Sequence, residues 1–408
     1  MTSRSSRLHR SGWAWALASV VLILSLVASQ PAQAQIYTIL HTFTSGADGA
    51  NPQYWLVAGA GGNLYGTTLS GGCNPACNYG TVYKINVNGT ESVVHVFPSG
   101  AADGELPSSP LVTDGVGNLY GTTQNGGTPE NGCTPPPPGA TGCGTVYELN
   151  AQSGAETILY NFTPTSPVQF PNGPFVLNGR KLYGAATGAN QQNGDSGNGV
   201  VYELSSAGLD MLYQFTGGTD GARPTQGLIR DQTGNLYGTT YFGGTAGLGT
   251  IFKVDSAGNE TILHNFAGTD GAYPNGPLVM DPTGNLYGVT YQGGASLVGT
   301  LFKLDTSNNL TVLYNFVGGS LGAYPSGNLI LDGVGNFYGT TLEGGGDSDG
   351  TVYEITSAGT ETVLHAFLGS PDGATPTGLL YYQGSLYGTT SAGGDPTCQC
   401  GTVYKISR

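Results

Sequence analysis

The sequence predicts an all-β chain, a seven-bladed β-propeller with four-stranded blades closed by an N-terminal strand. Three observations predict it. A version of Leu-Tyr-Gly-Thr-Thr recurs seven times, with tyrosines at Tyr65, Tyr120, Tyr183, Tyr237, Tyr287, Tyr338 and Tyr387, a period of about fifty residues that belongs to propellers and solenoids. Each copy leads into a Gly-Gly pair or its remnant, then a Gly-Thr-Val-Tyr-like segment and a Thr-Val-Leu-His/Tyr-x-Phe-like segment. The last copy ends after its third strand, and Tyr37–Phe43 supplies a matching fourth at the other end of the chain.

The elements follow in order. Arg4, Arg7 and Arg10 precede an apolar run from Trp13 to Ala28 and a small-residue site at Ala32-Gln33-Ala34, which reads as a secretory signal peptide over residues 1–34 and export of a single domain, 35–408, without membrane insertion after cleavage. One repeat then reads as four strands. Pro277–Met280 is the first, and Asp281-Pro-Thr-Gly-Asn285 is a turn. Leu286–Tyr291 alternates with the two-residue period of a strand, Gly293-Gly294 interrupts it, and Gly299–Leu304 and Leu310–Phe316 complete the blade. Tyr37–Phe43 is expected to close the last blade, because closure removes the exposed edge strands of an open array.

The chain carries a formal net charge of −14, and the three signal arginines leave nine basic against twenty-six acidic residues, about −17, on the mature chain. Nucleic acid is excluded as a partner. Six cysteines sit between second and third strands, with no histidine nearby, and read as disulfides in an oxidising compartment. Cys133 and Cys143 are expected to pair locally. Cys73, Cys77, Cys398 and Cys400 allow two local rings or pairing across the junction of last and first blades.

Gly62-Asn-Leu-Tyr-Gly-Thr-Thr-x-x-Gly-Gly72, Gly80-Thr-Val-Tyr-Lys-Ile85 and the Asp48-Gly-Ala-x-Pro52 linker resemble the GloVer tandem repeat of secreted bacterial proteins of the "choice-of-anchor" type. The resemblance runs from about Tyr37 to Ile406 and implies a repeat of that kind and a secreted, periplasmic or extracellular location. More loosely, Asp-x-x-Gly-Asn-Leu/Phe-Tyr at Asp114, Asp231, Asp281 and Asp332 is similar to a turn of NHL and gluconolactonase-like propellers, and the Gly-Gly pair to kelch repeats.

Almost every residue capable of chemistry is a repeat position. His41, His95, His264 and His365 share one fourth-strand position with Tyr160, Tyr213 and Tyr314, which asks for a ring with a polar tip rather than a catalytic or metal-binding imidazole. Lys84, Lys253, Lys303 and Lys405 alternate with Glu148, Glu203 and Glu354 as a solvated strand face, and the linker aspartates Asp48, Asp103, Asp220, Asp270 and Asp372 read as turn formers. Two features break the repeat. Tyr241, Phe242, Tyr273, Tyr291 and Tyr324 put aromatic rings on the face carrying the linkers and the loops between second and third strands, where rings beside hydroxyl and amide groups suit a carbohydrate. Asp347 and Asp349 are a fragment of an oxygen-ligand loop, the candidate calcium site, and no other cofactor is expected. The longer cysteine-bearing loops of blades seven, one and two, above all Thr128–Gly142, mark a second sector for ligand. The leading expectation is a non-catalytic binding or adhesion module for carbohydrate or an extracellular protein. The alternatives are a polysaccharide-directed hydrolase or lyase, a gluconolactonase-like metal hydrolase, and a purely structural surface protein.

Overall fold

A computed structural model describes residues 35–407 apart from 73–78, 87, 99–102, 128–141, 164–165, 167, 189–196 and 225–226. The segment 1–34 expected to be a signal peptide, Cys73, Cys77, Cys133 and most of the Thr128–Gly142 loop lie outside the described residues. Gln35–Arg408 forms one compact unit. It contains seven antiparallel sheets: blade 1 (57–96), blade 2 (104–161), blade 3 (169–214), blade 4 (229–265), blade 5 (272–315), blade 6 (323–366) and blade 7, in which Ile36–Thr42 joins Ala374–Tyr382, Ser385–Ala392 and Thr402–Ser407. Closure occurs as the sequence predicts. Ile36–Thr42 pairs antiparallel with Thr402–Ser407, Tyr37 stacks on His365 of blade 6 at 3.6 Å and 2°, and its hydroxyl donates to the Asp372 carbonyl at 3.0 Å.

The repeat motif has a packing reason at each letter. The glycine of Leu-Tyr-Gly-Thr-Thr faces the fully buried third-strand ring: a Cβ on Gly238 would stand 2.7 Å from Phe252 Cζ, and Gly288 is placed alike against Phe302. The last threonine of the motif is buried and bridges strands. Thr240 Oγ1 lies 2.9 Å from Thr250 Oγ1, donates to the Phe242 carbonyl at 2.9 Å, and accepts the Thr250 N–H at 3.1 Å. The same bridge recurs at Thr68–Thr81, Thr123–Thr145, Thr290–Thr300, Thr341–Thr351 and Thr390–Thr402, and blade 3 has Ala186 and Val200 instead. The tyrosine opposes the alternating Lys/Glu position of the third strand. Tyr338 donates to Glu354 at 2.9 Å, and the Lys303 and Lys405 ammonium groups stand 5.8 and 5.5 Å from the Tyr287 and Tyr387 ring centres. The expected solvated face is thus tied to its neighbour strand.

First strands of adjacent blades meet through glycines. A Cβ on Gly276 would strike the Gly327 carbonyl, and one on Gly378 would come within 3.1 Å of Trp55 Cβ. Asn328 of blade 6 exchanges two hydrogen bonds of 2.8 Å with the backbone of Leu379 in blade 7. The structure corrects one expectation. The Ala-x-Pro part of the linker pairs with the second strand, Ala272 opposite Gln292 and Pro274 opposite Thr290, so the first strand begins before Pro277, and Tyr273 and Tyr324 lie on strands rather than in linkers, while Tyr291 is on the second strand as expected.

Deleting residues 35–44 should leave blade 7 with three strands and an open edge, lowering the thermal midpoint by about 10 °C or causing aggregation in a melting experiment. Gly238→Ala should cost about 2–3 kcal/mol in denaturant unfolding through overpacking against Phe252, with the β-sheet spectrum retained.

Candidate functional site

The linkers hold the site. In six of them the residue before proline has a left-handed backbone, with φ of 56° at Asn51, 59° at Leu106, 56° at Arg223, 56° at Tyr273, 58° at Tyr324 and 50° at Thr375. This costs a residue with a Cβ roughly 1–2 kcal/mol. The offset is visible: each of these N–H groups donates to a carbonyl of the preceding blade, at Cys400, Tyr79, Asn198, Leu248, Val298 and Asp349, over 2.7–2.9 Å. The side chain that follows from this backbone differs in every blade except the two tyrosines, so the fold fixes the position and leaves its chemistry free.

Tyr241, Phe242 and Tyr273 gather at the boundary of blades 4 and 5. Tyr241 stacks on Tyr273 at 5.2 Å and 23°, and Phe242 meets both edge-on at 4.8 and 5.6 Å. Arg223 caps the group with its guanidinium 5.4 Å from the Phe242 ring centre. One boundary further on, Tyr291 packs against Tyr324 at 4.9 Å and 31°. Burial first, and then the neighbouring hydroxyls of Tyr291 and Tyr273, push the Tyr241 hydroxyl above its ordinary range, and burial, Tyr324 and Glu343 do the same to Tyr291. All five residues expected as ligand contacts therefore belong to one aromatic shelf over blades 4 to 6, with Phe242 and Arg223 exposed at one end and Glu343 exposed at the other. At the boundary of blades 7 and 1 the equivalent positions are polar, and Asn51 donates to the Ser391 carbonyl at 3.0 Å.

Asp347 and Asp349 sit close enough for burial and the charges of Asp347 and Asp372 to raise the Asp349 carboxyl. Calcium takes about six to eight oxygens from carboxylates, backbone carbonyls and water together, so these carboxylates would be one part of such a set. Cys398 and Cys400 are joined to each other, which is the local ring of the two alternatives, a bond two residues apart that stays inside one loop. Cys143 is also disulfide-bonded.

The Gloeobacter/Verrucomicrobia repeat profile matches residues 26–187 and again 184–404. The chain belongs to the Gloeobacter/Verrucomicrobia repeat family. No curated protein matches it. Among solved structures it is similar to the extracellular domain of a protein assigned to hybrid two-component systems in B. thetaiotaomicron (14% identity, TM-score 0.56), covering 90% of this chain and 39% of that one. It is also similar to an oligogalacturonate lyase from Vibrio parahaemolyticus (11% identity, 91% and 93% covered, TM-score 0.54). A gluconolactonase from Xanthomonas campestris matches at 14% identity over 64% and 78%, with a TM-score of 0.39. These likenesses show the fold alone.

Within this Gloeobacter/Verrucomicrobia repeat the linker aspartates have a second partner that periodicity alone does not reveal. His264 Nε2 lies 2.8 Å from Asp270 Oδ2, His365 Nε2 2.9 Å from Asp372, His41 Nε2 3.3 Å from Asp48, and the Tyr213 hydroxyl donates to Asp220 at 3.0 Å. A signal for it exists in the sequence: every histidine after the signal region is followed by a linker Asp six to eight residues later. The aspartates of the Asp-x-x-Gly-Asn turns, Asp114, Asp231, Asp281 and Asp332, are turn caps. Asp231 Oδ1 accepts the N–H groups of Thr233 and Asn235 at 2.9 Å each, and Oδ2 accepts from Asn235 and Tyr237. Burial opposes ionisation there, but the bonds from Asn235 and Thr233 outweigh it and lower the carboxyl. Fourth-strand glutamates behave oppositely. Burial, then the charge of Asp48 or Asp220, pushes Glu91 and Glu260 up to about 7, and burial pushes Glu361 up to about 7 against a bond from Tyr314.

Because the folded values of Glu91, Glu260 and Glu361 lie above the ordinary 4.5, their contribution to stability is complete below that pH and is lost as pH rises through 7. The lowered aspartates act in the other direction below their ordinary 3.8. Thermal midpoints across pH should peak at about pH 5 and fall toward about pH 8; the triple variant Glu91→Gln, Glu260→Gln, Glu361→Gln should flatten the alkaline limb.

Proposed function

We propose that this chain is an exported, non-catalytic binding propeller whose ligand is a carbohydrate lying on the aromatic shelf of blades 4 to 6. The observation that carries the reading is the meeting of Tyr241, Phe242, Tyr273, Tyr291 and Tyr324 at two successive blade boundaries. Stacked rings with hydroxyl tips offer flat apolar area to the faces of a sugar and donors to its rim, at small entropic cost because each side chain has few torsions. The strained linker backbone at Tyr273 and Tyr324 supports the same reading, since it holds these rings in place before a ligand arrives. Arg223 and Glu343, at the two ends, supply charged groups for the substituents that distinguish one sugar from another.

The enzymatic alternatives need an acid and a base converging on one exposed point. Of the raised carboxyls, Glu91, Glu260 and Glu361 belong instead to the contacts between outer strands of neighbouring blades. Export follows from the signal peptide over residues 1–34, and residues from 35 onward contain no helix, among those described, long and apolar enough to cross a membrane.

A glycan array probed with the purified protein should give binding to a defined sugar class. Tyr273→Ala and Tyr324→Ala should each lower affinity about tenfold or more, as loss of a central aromatic anchor does, while moving the thermal midpoint by less than about 2 °C. Undiminished affinity in both folded variants would place the ligand elsewhere, with the loop sector of blades 7, 1 and 2 the next to test.

A further inference from the structure

What sets the His95–Asp103 pair apart from the other His–Asp pairs in the ring is a third ligand, Glu156. The ligand atoms of these three residues all lie within 4.8 Å of one another, the one such group of three among the described residues. His264 and His365 close onto their aspartates at 2.8 and 2.9 Å, the lengths of hydrogen bonds, and His41 Nε2 stands 3.3 Å from Asp48. His95 Nε2 stands 3.4 Å from Asp103 Oδ2 and 3.8 Å from Glu156 Oε2. That nitrogen is buried without a hydrogen-bond partner, and so is Glu156 Oε1.

We propose that these three side chains form a divalent transition-metal site, of the zinc type, that joins blades 1 and 2 at the outer rim. The spacing is the first argument. Ligands about 2.0–2.1 Å from a tetrahedral ion are separated by about 3.4 Å, close to the two distances found, across neither of which His95 Nε2 makes a well-formed hydrogen bond. Chemistry is the second. One imidazole nitrogen with two carboxylate oxygens is a mixed set that suits zinc better than calcium or magnesium, which take oxygen alone. Two carboxylates also balance a 2+ charge in a place where either would otherwise be costly to bury.

The scaffold is rigid on three sides. His95 sits in the strand Glu91–Val96, its ring edge-on to Phe97 at 4.8 Å. Glu156 opens the strand Glu156–Asn161 of the next blade, opposite Leu149. Asp103 lies between them in the linker, with Oδ1 already accepting the Gly104 N–H at 2.7 Å and Oδ2 directed to the cluster. The fourth position would hold water. Without a metal, the competing occupant is a proton: burial, then the bond to Asp103 and its charge, raises the Glu156 carboxyl, and the buried Tyr147 hydroxyl is the remaining titratable group against the pair.

The test uses untagged, chelator-treated protein and zinc chloride. Calorimetry should give one equivalent of zinc at neutral pH, binding should weaken tenfold or more toward pH 5 as protons compete, and zinc at hundredfold excess over its Kd should raise the thermal midpoint by about 3 °C. Cobalt(II) added in its place should show the visible absorption of a four-coordinate ion. His95→Gln and Glu156→Gln should lose zinc binding, and His264→Gln, whose pair lacks a third ligand, should keep it. Absence of saturable zinc binding by the wild-type protein, a six-coordinate cobalt spectrum, or equal binding in His95→Gln and Glu156→Gln would overturn the proposal.

Discussion

The hydrogen bond from each linker N–H to the preceding blade is the contact on which the ring depends. It comes with two companions at the same spot. The carbonyl of the next residue, the glycine of Gly-Thr, accepts the N–H of the phenylalanine that ends the fourth strand, as at Phe266 to Gly249 and Phe316 to Gly299. The linker proline lies on that same glycine, so closely that a Cβ on Gly249 would come within 2.6 Å of Pro274 Cδ. One glycine therefore receives the outer strand of its own blade and the inner strand of the next, and its φ of 98° leaves no room for another residue. A propeller of seven blades has to hand the chain from rim to axis seven times, and in six of these linkers this is how the transfer is fixed.

The consequence is a division of labour along the chain. Strand positions are settled by packing: threonine for the buried bridge, glycine against a ring, Tyr or Phe beneath it. The residue before the linker proline and the two residues after Thr-Thr are held in place by backbone contacts, so their side chains are free to differ. In blades 4 to 6 five of them are the aromatics Tyr241, Phe242, Tyr273, Tyr291 and Tyr324, and around the junction of blades 7 and 1 they include Asn51, Ser70, Thr375 and Ser391, with Ser70 bonded to Asn51 and Thr375 to Ser391. A face built this way can change its side-chain chemistry by substitution without disturbing the fold. The charge balance fits a neutral or sparsely charged ligand, since a chain with a net charge of −14 repels polyanions at long range.

Much of this is legible in the amino-acid sequence. Seven copies of one motif give blade number and strand count, and the match between Tyr37–Phe43 and Glu361–Phe367 gives closure, because both are properties of local pattern. The five shelf aromatics are recognisable as departures from the repeat. Their pairing is not, because Tyr241 meets Tyr273 across a blade boundary, and nothing in one repeat reports the tilt between neighbours. The His–Asp contacts leave a trace in the sequence, a linker Asp six to eight residues after each histidine of the ring, but their geometry does not. Periodicity marks His41, His95, His264 and His365 as equivalent positions, and only the three-dimensional arrangement separates the open geometry at His95 from the closed pairs at His264 and His365. The pairing of Cys398 with Cys400 is hidden for a different reason: two cysteines with one residue between them have both near and far partners in a closed ring.

The central claim is that the shelf stands on a backbone held rigid by contacts between blades. Native-state hydrogen exchange at the linker amides of Asn51, Leu106, Arg223, Tyr273, Tyr324 and Thr375 tests it most directly. The account predicts that these six amides exchange only through global opening, as slowly as the buried third strands. Exchange at the rate of exposed turns would contradict it, and would mean that the left-handed linker geometry is one conformation among several rather than the fixed frame of the ring.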